Sequence, residues 1–172
     1  MKLQKWLSAP SLEGVEQTVN CLTIEIDSNL ADVSLAAVAV HAICLHAGLD
    51  QSHASLVELS IVEAVTNSIK HAYLGEPGHK VVVDISVSEE ALRFDLYDTG
   101  RSMSSEQEKK LVQGRGIAEQ EYADRTIIPE NGRGIEIIHR TMDRVEYNRE
   151  SDCNHLILEA RPFAFKKESD QI

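Results

Sequence analysis

The chain of 172 residues is poor in basic side chains: 17 lysines and arginines stand against 28 aspartates and glutamates, a formal net charge of −11. A protein whose main partner is a nucleic-acid backbone needs a basic footprint, so this charge argues against direct nucleic-acid binding. It does not argue against a nucleotide ligand, because a few backbone N–H groups and one cation are enough to hold phosphates.

Cysteine and long apolar runs are also scarce. Cys21, Cys44 and Cys153 are widely separated and fit neither a metal spacing nor a disulfide framework. We therefore expect reduced cysteines in a cytoplasmic protein. No apolar run reaches transmembrane length, and residues 1–10 are too short and too polar for a signal peptide, so we expect no membrane association.

The composition, 42% hydrophobic and 26% charged, is ordinary for one globular domain. Hydrophobic periodicity predicts an irregular segment over 1–17, a domain over 18–165 and a frayed tail over 166–172. The predicted element order is β-α-α-β-β-lid-α-β-β, which contains too few βαβ units for a Rossmann sheet. The sequence therefore predicts an α+β fold, a two-layer sandwich of a mostly antiparallel mixed sheet with helices on one face.

Two helices are predicted in the first half of the domain. Residues 32–47 are predicted to form an amphipathic helix that ends at Gly48 in a left-handed conformation. Its apolar stripe consists of Leu35, Val38, Ala42 and Leu45. The second helix, capped by Asp50 or Ser52, is predicted to continue to about Tyr73.

Strict alternation over 80–88 and again over 92–96 predicts an antiparallel hairpin. The polar stretch 99–131 is long for a connection in a compact domain, which favours a lid or binding loop, with a short helix near 106–112. A helix from Gly132 and a hairpin that turns at 150–152 complete the prediction.

Three short motifs carry candidate chemistry. Glu63 and Asn67 lie one turn apart on the apolar second helix, so both point the same way, with Ser60 and His71 on the same stripe. Burying a carboxylate there is costly without a partner. If no ligand binds here, we expect a glutamate that is half exposed to solvent and a core asparagine whose polar atoms are hydrogen-bonded within the protein.

The second motif is Asp98-Thr-Gly100 at the end of a strand, where glycine lets the backbone approach a ligand. The third is Gly132-Arg133-Gly134, which opens an apolar helix and offers free N–H groups to an anion. Each of these two motifs also has an interpretation without a ligand. The second would be a turn that ends a strand, and the third would be a glycine-rich helix start.

Taken in order, with a lid between the last two, the three motifs resemble those of the GHKL ATPase superfamily of gyrase, heat-shock chaperones, histidine kinases and MutL-type ATPases. The stretches EAVTNSIKHAY and GRGIEIIHRTMDRVEY are most similar to the bacterial anti-sigma factors that are also serine protein kinases. The resemblance covers about residues 20–160 and implies a Bergerat-type fold with an ATP lid.

The resemblance also implies roles. Asn67 would ligate Mg²⁺, Glu63 would be the general base for an acceptor hydroxyl, and Asp98 would accept from the adenine amino group. The resemblance further implies that Gly100 keeps that wall open and that Gly132, Arg133 and Gly134 contact phosphates. His71 would orient Asn67 or line the pocket, although a packed position at the helix end is the expected role.

The implied function is an ATP-dependent anti-sigma regulatory factor. It would phosphorylate a serine of an anti-anti-sigma partner of the STAS type and sequester a sigma factor. By analogy a homodimer is expected. Two departures stand out: Ser102 replaces the second glycine of Asp-x-Gly-x-Gly, and a second Gly-Arg-Gly-Ile occurs at 114–117.

Four alternatives stay open at this point. One is a nucleotide-binding regulatory module that only binds partners; intact Glu63 and Asn67 favour the kinase instead. A histidine-kinase catalytic domain would need an upstream dimerisation helix, and only about 30 residues precede Leu35. A piece of a gyrase-like or mismatch-repair ATPase would need a transducer domain after Ala160. The fourth is an α+β domain without a nucleotide site.

Overall fold

A computed structural model describes residues 20–113 and 133–161. Within these two ranges the helices and strands follow the predicted order, and the short helix expected inside the lid is present. The strands are β1 (Asn20–Asp27), β2 (Lys80–Val87), β3 (Leu92–Asp98), β4 (Arg144–Glu150) and β5 (Cys153–Ala160). The helices are α1 (Val33–His46), α2 (Gln51–Asn67), α3 (Ser105–Gln113) and α4 (Arg133–Thr141), and a π-helical turn (Ser68–Ala72) follows α2.

The described strands form one sheet in the order β1-β2-β3-β5-β4, and every pairing among them is antiparallel. Both predicted hairpins, β2–β3 and β4–β5, are confirmed. The central pairing of β3 with β5 places Asp98 opposite Asn154. This register joins the two hairpins and brings their polar strand ends to the same end of the sheet.

One face of the sheet forms the core under the helices. Val83, Phe94 and Leu158 on neighbouring strands are fully buried, and they share one hydrophobic cluster with Ile61 and Val65 of α2. The predicted α+β two-layer architecture is confirmed. Alternation along the strands sends the intervening residues to the opposite face, which is largely polar.

The polar face of the sheet is organised around Asp95. Arg93 donates two hydrogen bonds to this carboxylate, at 2.6 and 2.7 Å, and His155 Nε2 lies 2.7 Å from it. Burial alone would raise the pKa of Asp95, but the hydrogen bonds from His155 and Arg93 hold that pKa below its usual value. Asp95 is thus a structural carboxylate on the face away from the helices.

Helix α1 buries a different face from the one that the sequence predicts. Its buried residues are Val33, Ala36, Val40 and Cys44. The stripe predicted to be the apolar side of an amphipathic helix is instead exposed, with Leu35 74% and Val38 69% accessible. That assignment is wrong because α1 is apolar all round, so periodicity alone could not select the face that packs.

The ends of α1 and α2 follow the predicted chemistry. Gly48 has a φ of +90°, the left-handed conformation expected of a glycine that ends a helix. Asp50 caps α2, since its side chain accepts a hydrogen bond of 2.9 Å from the His53 N–H. The α-helix ends at Asn67, and the turn that continues to Ala72 is π-helical, with the Tyr73 N–H bonded to the Ser68 carbonyl. Such turns are frequent at functional sites.

Candidate nucleotide site

A pocket opens between the C-terminal half of α2, the ends of β3 and β5, and helices α3 and α4. Its empty volume is about 350 Å³, including the space open to solvent. The lining combines apolar side chains with a few polar groups, the composition expected of a small-molecule site. The lining residues are Ala64, Asn67, Ser68, Leu96, Asp98, Met103, Leu111, Ile138, Tyr147, Asn154 and Leu156.

Glu63 lies beside this pocket, where α2 meets the start of α4. A Cβ added to Gly134 would overlap the Glu63 carboxylate, lying 2.9 Å from its Cδ and 3.2 Å from its Cβ. The glycine therefore lets the first turn of α4 lie directly on this half-buried side chain. The partial positive charge of a helix N-terminus favours an anion at that position.

Asp98 is held by three donors within the described structure. Its Oδ2 accepts from the Ser68 hydroxyl at 3.0 Å, and its Oδ1 accepts from Gly100 N–H at 3.0 Å and from Asn154 Nδ2 at 2.6 Å. Asp98 is only 8% exposed. Because a carboxylate offers about four lone-pair positions, these donors fix its orientation and leave roughly one position for a ligand N–H.

Asn154 extends this network to the lid side of the pocket. Its Oδ1 accepts from the Tyr147 hydroxyl at 2.8 Å, and the Tyr147 oxygen accepts from the Met103 N–H at 3.2 Å. Burial raises the pKa of Tyr147, so its hydroxyl stays protonated as a donor. The segment after β3 is thereby tied to the sheet through the same side chains that orient Asp98.

The motif suggested that Gly100 lets the backbone approach a ligand, but in the structure Gly100 lies against Ala72. A Cβ at this residue would lie 2.6 Å from the carbonyl carbon and oxygen of Ala72 and 2.7 Å from its Cβ. The next residue, Arg101, donates its N–H to the same Ala72 carbonyl at 2.9 Å. Glycine is needed here because the turn after β3 packs on the backbone at the end of the π-helical turn.

We expect Gly100→Ala to destabilise the fold by about 1–3 kcal/mol, the usual cost of overpacking, since the obstacle is backbone. Chemical denaturation of the variant checks this. Gly134→Ala is the matched control, because its new methyl group meets the Glu63 side chain, and we expect a smaller stability loss there. A Gly100→Ala protein as stable as wild type would contradict the packing argument.

His71 does not join the other predicted residues. It lies in the π-helical turn, its side chain is exposed, and it is not among the residues that line the pocket. The expectation of a packed helix-end histidine is wrong. A π-helical turn contains more residues per turn than an α-helix, so a stripe drawn at i, i+4 intervals from Glu63 through Asn67 does not extend through it to His71.

Of the eleven residues that line the pocket, the motif analysis predicted only Asn67 and Asp98; the residues that it missed include Ser68, Met103, Tyr147 and Asn154. Ser68 directly follows Asn67, so a pocket around that residue could have suggested it. Asn154 and Tyr147 depend on the register of β5 against β3 and β4, which no local pattern reveals. Met103 reaches the pocket through the segment after Asp98.

The predicted lid is described only in its first part. Its short helix is confirmed as α3, with Leu111 buried, and the His139 ring nitrogen lies 3.3 Å from the Lys110 carbonyl oxygen. Residues 114–132, including the second Gly-Arg-Gly-Ile and Gly132, lie outside the described residues, as does the side chain of Arg133. Their predicted phosphate contacts stay predictions.

Two further observations concern metal ions and membranes. Within residues 20–113 and 133–161 no group of three or more His, Cys, Asp and Glu could hold a metal ion. No helix of the described part of the chain has the length and apolar character required to cross a membrane.

An antiparallel sheet under helices, with a carboxylate-lined pocket beside α2, is the architecture of an ATP-binding domain of the GHKL type. The model of the histidine kinase-like ATPase domain family matches residues 26–160, and the chain belongs to this family. The resemblance derived from the three motifs is confirmed, and membership implies ATP binding.

Among curated proteins, the chain is similar to the serine-protein kinase RsbW of Listeria monocytogenes serovar 1/2a, with 26% identity over 125 residues, which is 73% of this chain and 77% of the relative. The same values hold for RsbW of Listeria innocua serovar 6a. The anti-sigma F factor of Oceanobacillus iheyensis is 33% identical over 100 residues, 57% of this chain and 63% of the relative. These likenesses support the predicted anti-sigma kinase branch.

Proposed function

We propose that this protein is an ATP-dependent anti-sigma regulatory factor with serine protein kinase activity. It phosphorylates an anti-anti-sigma partner of the STAS type and sequesters a sigma factor. The observation that carries the proposal is the proximity of three groups: Asp98 fixed in the pocket, Asn67 in its lining, and Glu63 beside it at the start of α4.

Adenine binding is assigned to Asp98. Its fixed carboxylate has roughly one acceptor position left, which suits the exocyclic amino group of adenine and disfavours guanine, which carries a carbonyl there. Asn67, one turn after Glu63, is the candidate ligand for Mg²⁺ through its side-chain oxygen. The bound ion would neutralise developing charge on the phosphates.

Glu63 is assigned as the general base. Its carboxylate takes the proton from the acceptor serine hydroxyl while that oxygen bonds to the γ-phosphorus of ATP, and the bond between the γ-phosphorus and the β,γ-bridging oxygen breaks to release ADP. The contact with Gly134 positions the carboxylate. Because α4 begins at this contact, phosphate-binding N–H groups at the start of α4 would lie near the base.

Phosphorylation would act as a switch between partners. A phosphoserine adds about −1.5 to −2 charges at neutral pH, which opposes contact with a chain of net charge −11. The modified STAS protein would leave, and this protein would then hold the sigma factor. ATP turnover without a partner should be slow, because Glu63 would act as the general base for a protein hydroxyl rather than for water.

The test is incubation with Mg-ATP and a candidate STAS-domain protein, followed by intact-mass analysis of that protein. We expect one added phosphoryl group on the partner, and lower affinity of the modified partner by calorimetry with ADP present. ATP binding without any mass change in partners that form a complex would favour a module that only binds. Rapid ATP hydrolysis without a partner would point to another GHKL branch.

A further inference from the structure

The segment after β3 is where the sequence departs from the family motif. We use the name post-β3 turn for residues 99–103. The motif Asp-x-Gly-x-Gly would place a second glycine at position 102, with a freedom that suits the hinge of a lid, but this chain has Ser102 there. Among the described residues other than glycine, only Leu74 and Ser151 have a positive φ, so Ser102 has a backbone conformation that any residue can adopt. The turn therefore does not need a glycine at this position.

Two tyrosine hydroxyl groups hold the two ends of the post-β3 turn. At one end the Tyr73 oxygen accepts a hydrogen bond of 2.9 Å from the Thr99 N–H. At the other end the Tyr147 oxygen accepts a hydrogen bond of 3.2 Å from the Met103 N–H. Tyr73 is only 4% exposed and Tyr147 is half-buried, so water competes little for these bonds.

Each of these hydroxyl groups is itself anchored in the sheet. The Tyr73 hydroxyl donates to the Lys80 carbonyl of β2 at 2.6 Å, and the Tyr147 hydroxyl donates to Asn154 Oδ1 of β5 at 2.8 Å. Asn154 in turn donates from Nδ2 to Asp98 at 2.6 Å. Strands β2 and β5 are the two neighbours of β3, so the turn is tied to the strands on both sides of the one that it leaves.

The middle of the post-β3 turn is held as well. The Arg101 N–H donates to the Ala72 carbonyl at 2.9 Å, and the carbonyl oxygens of Gly100 and Arg101 accept from Asn154 Nδ2 at 3.3 and 3.2 Å. Helix α3, which follows the turn, has Leu111 buried in the hydrophobic core. A segment with so many fixed backbone groups opens rarely, because local opening would break several hydrogen bonds at once.

We propose that Tyr73 and Tyr147 are positioning residues for adenine recognition, because their hydroxyl groups make the post-β3 turn a fixed wall of the nucleotide pocket rather than a hinge of its lid. This inference rests on the proposed contact between Asp98 and adenine. The turn begins directly after that carboxylate and ends at Met103, which lines the pocket. A wall that is already ordered costs no ordering entropy when a nucleotide binds.

Tyr147 also fixes the orientation of the Asn154 side chain. The Asp98 carboxylate accepts but cannot donate, so Asn154 must direct its Nδ2 toward Asp98 and its Oδ1 toward Tyr147. The other described donor to this oxygen is Arg149 Nη1, at the longer distance of 3.3 Å. Loss of the Tyr147 hydroxyl would therefore loosen Asn154, and through it the carboxylate that faces the base.

Hydrogen exchange of the wild-type chain, followed residue by residue by NMR, tests the fixed wall without any variant. We expect the amides of Thr99, Arg101 and Met103 to be protected in the free protein. Addition of ADP and Mg²⁺ should change their exchange rates by less than about threefold. If these amides exchange in the free protein as in an unstructured peptide and become protected only with ADP, the turn is a hinge and the proposal is overturned.

Base selectivity tests the positioning role. Inosine diphosphate carries an oxygen in place of the adenine amino group, so the ratio of ADP affinity to IDP affinity measures the contact with Asp98 while phosphate binding cancels. We expect Tyr73→Phe and Tyr147→Phe each to lower this ratio by about 3- to 10-fold, the weight of one neutral hydrogen bond. The loss should fall on ADP, with IDP affinity within about twofold of wild type. A purely structural role would lower the thermal midpoint and weaken both nucleotides alike.

Tyr97→Phe is the matched control for these titrations. Tyr97 also lies on β3 but on the opposite face of the sheet, where its ring stacks on His155 with the ring centroids 4.4 Å apart. This variant should keep the wild-type ratio. If wild type prefers ADP to IDP and both Tyr73→Phe and Tyr147→Phe keep that preference unchanged, the positioning role is wrong. A wild-type protein that binds neither nucleotide would instead contradict the proposed nucleotide site itself, and this inference with it.

Discussion

Glu63→Gln should lower phosphotransfer to the partner by about 10²- to 10⁴-fold, the usual contribution of a general base. Glutamine has nearly the same shape, so the contact of this side chain with Gly134 should survive. We therefore expect nucleotide affinity and the thermal midpoint to change little. Single-turnover phosphorylation of the partner, measured at saturating Mg-ATP, separates the chemical step from binding.

Glu58→Gln is the matched control for this measurement. Glu58 is also half-buried on α2, but it pairs with His41 on the side of α1. The rate should stay near wild type in this variant. Asn67→Ala should differ from both, because it should lose Mg²⁺-dependent ATP affinity. A Glu63→Gln protein that phosphorylates its partner at the wild-type rate would show that another group is the base.

Asp98→Asn should weaken adenine nucleotide binding by about 10- to 100-fold. The substitution replaces one acceptor oxygen by a donor, so the hydroxyl of Ser68, the N–H of Gly100 and the amide of Asn154 compete for the one that remains. Hydrogen bonds to a charged group are each worth about 1.5–3 kcal/mol, and 1.4 kcal/mol is a tenfold change in affinity. Calorimetric titration with ADP measures the effect.

Asp95→Asn is the control, because Asp95 lies in the same strand, is also 8% exposed, and belongs to the opposite face of the sheet. It should cost stability through its lost contacts with Arg93 and His155 and leave nucleotide affinity near wild type. If the Asp98→Asn variant binds ADP with an affinity within twofold of wild type, Asp98 does not contact adenine. Wild type should bind GTP more weakly than ATP.

Local pattern predicted most of the fold. Alternation over β2 and β3 identified the strands and their buried side, and Gly48 and Asp50 marked the boundary between α1 and α2. Failures arose where local pattern carries no information. The packing face of α1 was misassigned because every side of it is apolar, and the π-helical turn was read as continued α-helix.

The candidate site was predicted in part. Asn67 and Asp98 do line one pocket, and Glu63 lies beside it, because helix spacing and a strand end can be read from sequence. The partners that orient Asp98 could not be found this way. Asn154 is 56 residues away and reaches it only through the pairing of β3 with β5, which is a long-range feature. The sequence predicted that Gly100 belongs to the site, but it did not predict that Gly100 packs against Ala72.

The register of the sheet has a consequence for how the protein folds. The β2–β3 and β4–β5 hairpins close over short loops. The β3–β5 pairing instead joins residues as far apart in sequence as Leu92 and Ala160, so it carries a large loop-closure entropy. We expect the hairpins to form early and their docking to limit the refolding rate. Because the pocket exists only after docking, a bound nucleotide should slow unfolding and leave the refolding rate almost unchanged.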